Sequence, residues 1–181
     1  MTEIDFRILD FIREKLSNGF FDFVMPKLTA VGNVGFIWIF IAAAMVISRK
    51  YRRNGLELAA GLVGCALVGN LLLKNLIARQ RPCWINDTIE ILIAVPRDYS
   101  FPSGHTMASF AAAAIILHAN KKLGIAAYIL AAVIAFSRLY LYVHFPTDVL
   151  AGAVIGTVIG IAVCVFSKKF FTQEDASVEK K

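Results

Sequence analysis

The chain has 181 residues, 58% of them hydrophobic and 18% charged, against about 45–50% apolar and about 25% charged in soluble globular domains. That composition excludes disorder, a coiled coil and a secreted disulfide scaffold, and five apolar runs of roughly 20 residues each leave too little chain for a separate soluble domain. The 19 basic and 13 acidic residues give a net charge of +6, which in such a chain reports membrane topology rather than a nucleic-acid partner.

Residues 1–17 set Ile4, Ile8, Phe11 and Ile12 on one side of a helix and Glu3, Arg7, Asp10, Arg13 and Glu14 on the others. That pattern predicts an amphipathic helix lying on the membrane interface. It lacks the continuous apolar core and small-residue cleavage pattern of a signal peptide. Asn18-Gly19 predicts a helix stop, followed by a connection carrying Phe20, Phe21, Phe23 and Pro26. Apolar runs then fall at about 28–48, 55–77, 104–119, 123–143 and 147–166, each read as a span. The predicted fold is an all-α integral membrane protein of about five transmembrane helices plus the N-terminal interfacial helix. Residues 1–27 would form that helix and its connection, 28–169 the membrane-embedded domain, and 170–181 a polar, frayed cytoplasmic tail. Cys65 and Cys164 fall inside apolar runs and Cys83 in a loop, so neither a disulfide nor a metal site is expected.

Lysine and arginine gather in alternate connections: Arg49, Lys50, Arg52 and Arg53; Lys121 and Lys122; Lys168 and Lys169. All three clusters fall on one side, predicted to be cytoplasmic. The other side, predicted to be extracytoplasmic, holds the short turn at 144–147 and a long connection from about Ala78 to Ser103. Long connections are commonly functional. The stretch Ile89–Val95 is apolar for a loop and would lie on the bilayer surface or form a lip over a site, with Trp84 and Tyr99 suited to the interface.

The chemistry collects at that face. Lys74 lies at the outer end of the second run, Arg81-Pro82 follows, and Arg138 lies near the outer end of the fourth. A buried membrane cation is costly and calls for an anion. Phe101-Pro102-Ser103-Gly104-His105-Thr106 opens the third run, with Ser103 as the expected N-cap and Gly104 leaving helix-terminal amides accessible to a phosphate. Arg138 is followed by His144 and then Asp148; with Pro146 in the first turn of the fifth helix, the carboxylate would reach the His144 ring and fix its tautomer. Three cations and helix amides suit the oxygens of a transferring phosphoryl group. One histidine would attack and the other protonate the leaving oxygen. Arg79 and Arg97 would extend the site toward a second phosphate or contact lipid headgroups.

Lys74 with Arg81-Pro82, then Pro102-Ser103-Gly104-His105, then Ser137-Arg138 with His144 and Asp148, resembles the three-part signature of the type 2 phosphatidic acid phosphatase superfamily, which is related to vanadium haloperoxidases. No motif position departs from the pattern. The resemblance implies a phosphatase that needs no metal or other cofactor and acts through a phosphohistidine. His144 would be the nucleophile, His105 the general acid and Asp148 the orienting carboxylate, with Lys74, Arg81, Ser103, Gly104 and Arg138 holding the phosphate. Only the resemblance makes His144 rather than His105 the nucleophile. A site under an apolar lip fits a lipid phosphate; the resemblance implies undecaprenyl diphosphate, phosphatidate or phosphatidylglycerol phosphate, and an outward-facing site favours the first. The alternatives are a phosphatase for a soluble ester, a phosphotransferase, and a lipid-binding or translocating protein without catalysis.

Overall fold

The structure, a computed structural model, describes residues 2–178, with side chains over 3–33 and 35–169. Among the described residues the regular elements are all helical: α1 (Thr2–Leu16), α2 (Gly19–Val31), α3 (Phe36–Ile47), α4 (Arg52–Cys65), α5 (Lys74–Ile77), α6 (Pro82–Ile85), α7 (Gly104–Ala119), α8 (Lys121–Tyr140) and α9 (Pro146–Val178). Wide π-helical turns over Ala66–Leu73 join α4 to α5, and a 3-10 turn, Asn33–Gly35, separates α2 from α3.

The N-terminal third departs from the sequence expectation. The stop at Asn18-Gly19 is real, but Asn18 also starts the next helix, its side chain accepting from the Phe21 N–H at 3.0 Å. The expected Phe-rich connection is therefore helix α2, which runs through Pro26. The expected span at 28–48 is a pair of helices bent by 46° around Gly32–Gly35, where Gly35 takes φ +70, a left-handed conformation that glycine adopts without a Cβ clash. Helix α1 turns Asp5, Leu9 and Ile12 inward and leaves Ile4, Ile8 and Phe11 exposed. Ile12 thus belongs to the packed face rather than to the outer one.

By length and apolarity Arg52–Ile85, Lys121–Tyr140 and Pro146–Lys169 are able to cross a membrane, and the bent pair makes a fourth candidate. Helix α7, with 16 residues and a length of about 24 Å, is shorter than a hydrocarbon core of about 30 Å and packs between α4, α8 and α9. At the C-terminus the polar stretch expected to fray continues α9 as helix to Val178; the last three positions of that expected tail, 179–181, lie outside the described residues.

Small residues build the centre. Ala111, Ala112 and Ala113 of α7 are fully buried, and α9 meets this helix with Gly152, Gly156 and Gly160, one small residue per turn. A Cβ at Gly156 would stand 2.1 Å from the Met107 carbonyl oxygen, and one at Gly152 2.8 Å from that of Ser103, so only glycine lets the backbones approach this closely. The basic connections gather at one end: Arg53 reaches Ser167 at 3.3 Å and Asn120 reaches Tyr51 at 3.4 Å. The starts of α7 and α9 lie at the other end, where the Ser103 N–H donates to the Asp148 carbonyl at 3.1 Å.

Candidate active site

Lys74 is the first residue after the π-helical turns, which shift the phase of the helix that follows them. Leu71, Leu72 and Leu76 are exposed there, whereas Lys74 is buried. Ala78, at φ +46, closes α5, and the segment beyond it is held by the Ser100 N–H donating to the Arg79 carbonyl at 2.8 Å. Arg81, the N-cap residue of α6, then points into the protein and is 2% exposed.

Arg81 Nη1 donates to the Val143 carbonyl at 2.7 Å and lies 3.0 Å from His144 Nε2. A guanidinium has donors only, so His144 Nε2 presents its lone pair and Nδ1 carries the proton. Burial pushes the His144 pKa well below its ordinary value, and Arg81, Arg138, Lys74 and His105 push it the same way. The ring is therefore neutral at neutral pH, with the unprotonated nitrogen turned toward the cations.

On the other side of the ring, Nδ1 lies 3.7 Å from Asp148 Oδ2, longer than a hydrogen bond. Ser100 stands between them: its hydroxyl donates to Asp148 Oδ2 at 2.5 Å and lies 3.4 Å from His144 Nδ1. The Phe145 N–H also donates to Asp148 Oδ2, at 2.9 Å, because Asp148 falls in the first turn of α9, as the position of Pro146 predicts. Ser100 is a site residue with no mark of its own in the sequence; one serine in a long loop carries no signal until the fold buries it.

His105, the second residue of α7, sits with Nε2 2.9 Å from Asn33 Oδ1 at the α2–α3 bend. Ser103 occupies the N-cap position, but its hydroxyl caps no backbone amide; it accepts from Thr106 Oγ1 at 2.9 Å. Arg138 donates through Nη1 to Thr29, while its buried Nε has no hydrogen-bond partner among the described residues. Such a donor is costly to leave empty.

A carboxylate absent from the sequence reading occupies the middle of the cations. Asp98 pairs with Lys74 through one oxygen and with Arg81 Nη2 at 2.8 Å through the other, and its carbonyl accepts from Arg81 Nε at 2.7 Å. Partial burial would raise its pKa, but Lys74 and Arg81 outweigh that and hold it at about 2. Arg79, read from the sequence as extending the site toward a second phosphate or contacting lipid headgroups, pairs instead with two carboxylates: Nη1 donates to Asp148 Oδ1 at 2.6 Å and Nη2 to Asp5 Oδ2 at 2.7 Å.

Lys74, Arg81, Gly104, His105, Arg138 and His144 line one end of a cavity of about 590 Å³. Its walls continue through Leu62 and Cys65 of α4, Ala66 of the π-helical turns, and Met107 and Ala108 of α7, with the α2–α3 bend on one side. Ile93, Ala94 and Val95 form a lip over it, whereas Ile89 and Ile91 pack against Leu9, Tyr142 and Phe145. Ser103 and Asp148 are buried just behind the wall. The six lining residues come from α5, the long connection, the start of α7, the end of α8 and the turn that follows it, so the fold assembles one cation-lined pocket bearing two imidazoles.

Residues 54–171 match the PAP2 superfamily. The chain belongs to that superfamily. It is 32% identical over 151 residues to the undecaprenyl-diphosphatase BcrC of Bacillus subtilis (strain 168), a match covering 83% of this chain and 77% of the relative. An undecaprenyl-diphosphatase of Sulfolobus acidocaldarius is 32% identical over 123 residues, or 67% of this chain. That match spans only 59% of the archaeal protein's length. Among solved structures, a transmembrane PAP2-type phosphatidylglycerolphosphate phosphatase from Bacillus subtilis superimposes with a TM-score of 0.76 at 29% identity, covering 93% of this chain and 86% of that one. This PAP2 chain thus shares its fold with membrane phosphatases, and its two motif histidines face the same cavity.

Proposed function

We propose that the chain is an integral membrane lipid phosphatase that cleaves phosphate mono- or diphosphate esters through a phosphohistidine, with undecaprenyl diphosphate as the preferred substrate class. The observation that carries this reading is the single cavity in which His144, His105 and three cations meet apolar walls from the α2–α3 bend, α4 and α7. A phosphate seated on Lys74, Arg81 and Arg138 would displace Asp98 and fill the empty Arg138 Nε. The Nε2 lone pair of His144 attacks phosphorus as the P–O bond to the lipid breaks, and a proton from His105 goes to the departing oxygen. Water then attacks the phosphohistidine; His105 takes its proton, the P–N bond breaks, and phosphate leaves. Gly104 supports the pocket by its small size, and Ser103 by fixing the start of α7.

The names of the relatives support a polyprenyl diphosphate, and the apolar walls favour a lipid over a soluble ester. The lipid chain enters between the α2–α3 bend and α4. The α7 helix completes five spans with the four longer candidates, the exposed Ile4, Ile8 and Phe11 of α1 rest in the interface, and the site faces away from the basic, cytoplasmic end.

The test is phosphate release from undecaprenyl diphosphate, phosphatidate and a soluble ester by purified protein in EDTA, with His144→Ala beside the parent. Release in EDTA that is lost in His144→Ala and is fastest with undecaprenyl diphosphate is expected. Activity that needs metal or survives the substitution would overturn the mechanism, and a faster soluble ester would overturn the substrate class.

A further inference from the structure

Two buried carboxylates from opposite ends of the chain share one guanidinium behind the site. Asp5 of α1 and Asp148 of α9 are 1% and 0% exposed, and Arg79 bridges them at 2.7 and 2.6 Å. Asp5 also accepts from the Thr147 N–H at 3.2 Å and from the Thr147 hydroxyl at 2.8 Å, so it covers a free amide at the start of α9. The Arg79 guanidinium stacks 4.0 Å from the Phe145 ring, which restricts it further. Asp148 Oδ1 is thereby held by Arg79, while Oδ2 is left to Ser100 and the Phe145 N–H on the His144 side.

We infer that Asp5 and Arg79 are positioning residues for the reaction, with helix α1 acting through Asp5, Arg79 and Asp148 on the orientation and basicity of His144. The inference rests on His144 being the nucleophile. A lone Asp148 carboxylate could swing away to other donors; anchored by Arg79 on Oδ1 and by Ser100 and the Phe145 N–H on Oδ2, it stays fixed behind Nδ1, with the Ser100 hydroxyl between it and the ring. The charges count as well. His144 faces Lys74 of α5, Arg81, His105 of α7, Arg138 of α8 and Asp148 of α9, and Asp98 from the loop partly offsets the cations. Against that background the Asp5–Arg79–Asp148 group contributes one net negative charge behind Nδ1.

The variants Asp5→Asn, Arg79→Gln and Arg79→Lys are compared with the parent and with His144→Ala in detergent, reading kcat, KM and the acidic limb of the kcat/KM–pH profile. Asp5→Asn keeps the shape of the side chain and its acceptor, so α1 stays docked. Asp5→Asn and Arg79→Gln are expected to lower kcat about tenfold or more, since small misplacements at a reacting centre carry losses of that order, with KM nearly unchanged. The acidic limb should move to lower pH in Asp5→Asn, which removes a negative charge, and to higher pH in Arg79→Gln, which removes a positive one. Arg79→Lys keeps the charge and should keep the parent limb while kcat falls. With His144→Ala inactive, an unmoved limb and an unchanged kcat in Asp5→Asn overturn the inference alone, as does a purely structural fall in kcat with no limb shift in either charge-changing variant. Activity surviving in His144→Ala overturns the nucleophile assignment and the inference together.

Discussion

Asp98 holds the place a phosphate would take, with its two oxygens on Lys74 and Arg81. Its side chain is 56% exposed, so it can swing out into the lip without opening the core. An anion entering the site competes with it for the same two buried cations. Asp98→Asn is therefore expected to strengthen inhibition by orthophosphate a few-fold, read as a lower inhibition constant; an unchanged or weaker inhibition would show that Asp98 does not contend for the cations. The pH range follows from the carboxyl being held at about 2 rather than 3.8. A depressed carboxyl stabilises the fold fully above the unfolded value near 3.8 and loses that contribution as pH falls through about 2. The Asp98 effect on inhibition should accordingly stay constant across the neutral range. Asp98, Ser100, Asp5 and Thr29 share the reason they were illegible in the sequence: each is an ordinary polar residue whose role comes from a partner 17 to 142 positions away. Lys74, Arg81, His105, Arg138 and His144 were legible because charged groups in or beside apolar runs need an explanation on their own.

At the scale of elements, the seam between α7 and α9 decides how precisely those groups are held. Gly152 lies one turn beyond Asp148 and touches the backbone of Ser103; Gly160 lies two turns further, against the Ala111 carbonyl at 2.7 Å from a would-be Cβ. Alanine at either position pushes the helices apart, an overpacking that commonly costs about 1–3 kcal/mol. Gly152→Ala and Gly160→Ala should thus lower the melting temperature in detergent to a similar extent, while only Gly152→Ala also lowers kcat, because it displaces Asp148 and the start of α7. Equal losses of turnover in the two variants would mean that the seam acts through stability alone. The glycine spacing was present in the sequence, but its meaning depends on which helix lies opposite. The reverse held for α2: Pro26 and three phenylalanines suggested a connection, yet helix packing against α8 overrides the low interior propensity of one proline.

The whole molecule is polarised along the bundle. Its basic connections meet at one end and its candidate site at the other, and the bias of lysine and arginine toward the cytoplasm predicts that the site faces outward. This asymmetry was the most legible feature of the sequence, because it depends on where charges interrupt apolar runs and not on how helices pack. It can be tested without touching the site. Cys65, Cys83 and Cys164 are all buried, so they contribute little background to thiol labelling. Asp87, in the loop beside the lip, and Lys122, at the start of α8, are both exposed. In intact cells a membrane-impermeant maleimide is expected to label Asp87→Cys directly and Lys122→Cys only after permeabilisation. The opposite pattern would place the cavity on the cytoplasmic face, where a substrate diphosphate would have to be presented from inside the cell. Labelling of both sites in intact cells would mean that the charge asymmetry does not set one orientation. With Asp87 outside and Lys122 inside, the proposed reaction would release phosphate on the outer surface and would leave the lipid monophosphate in the leaflet from which its diphosphate came.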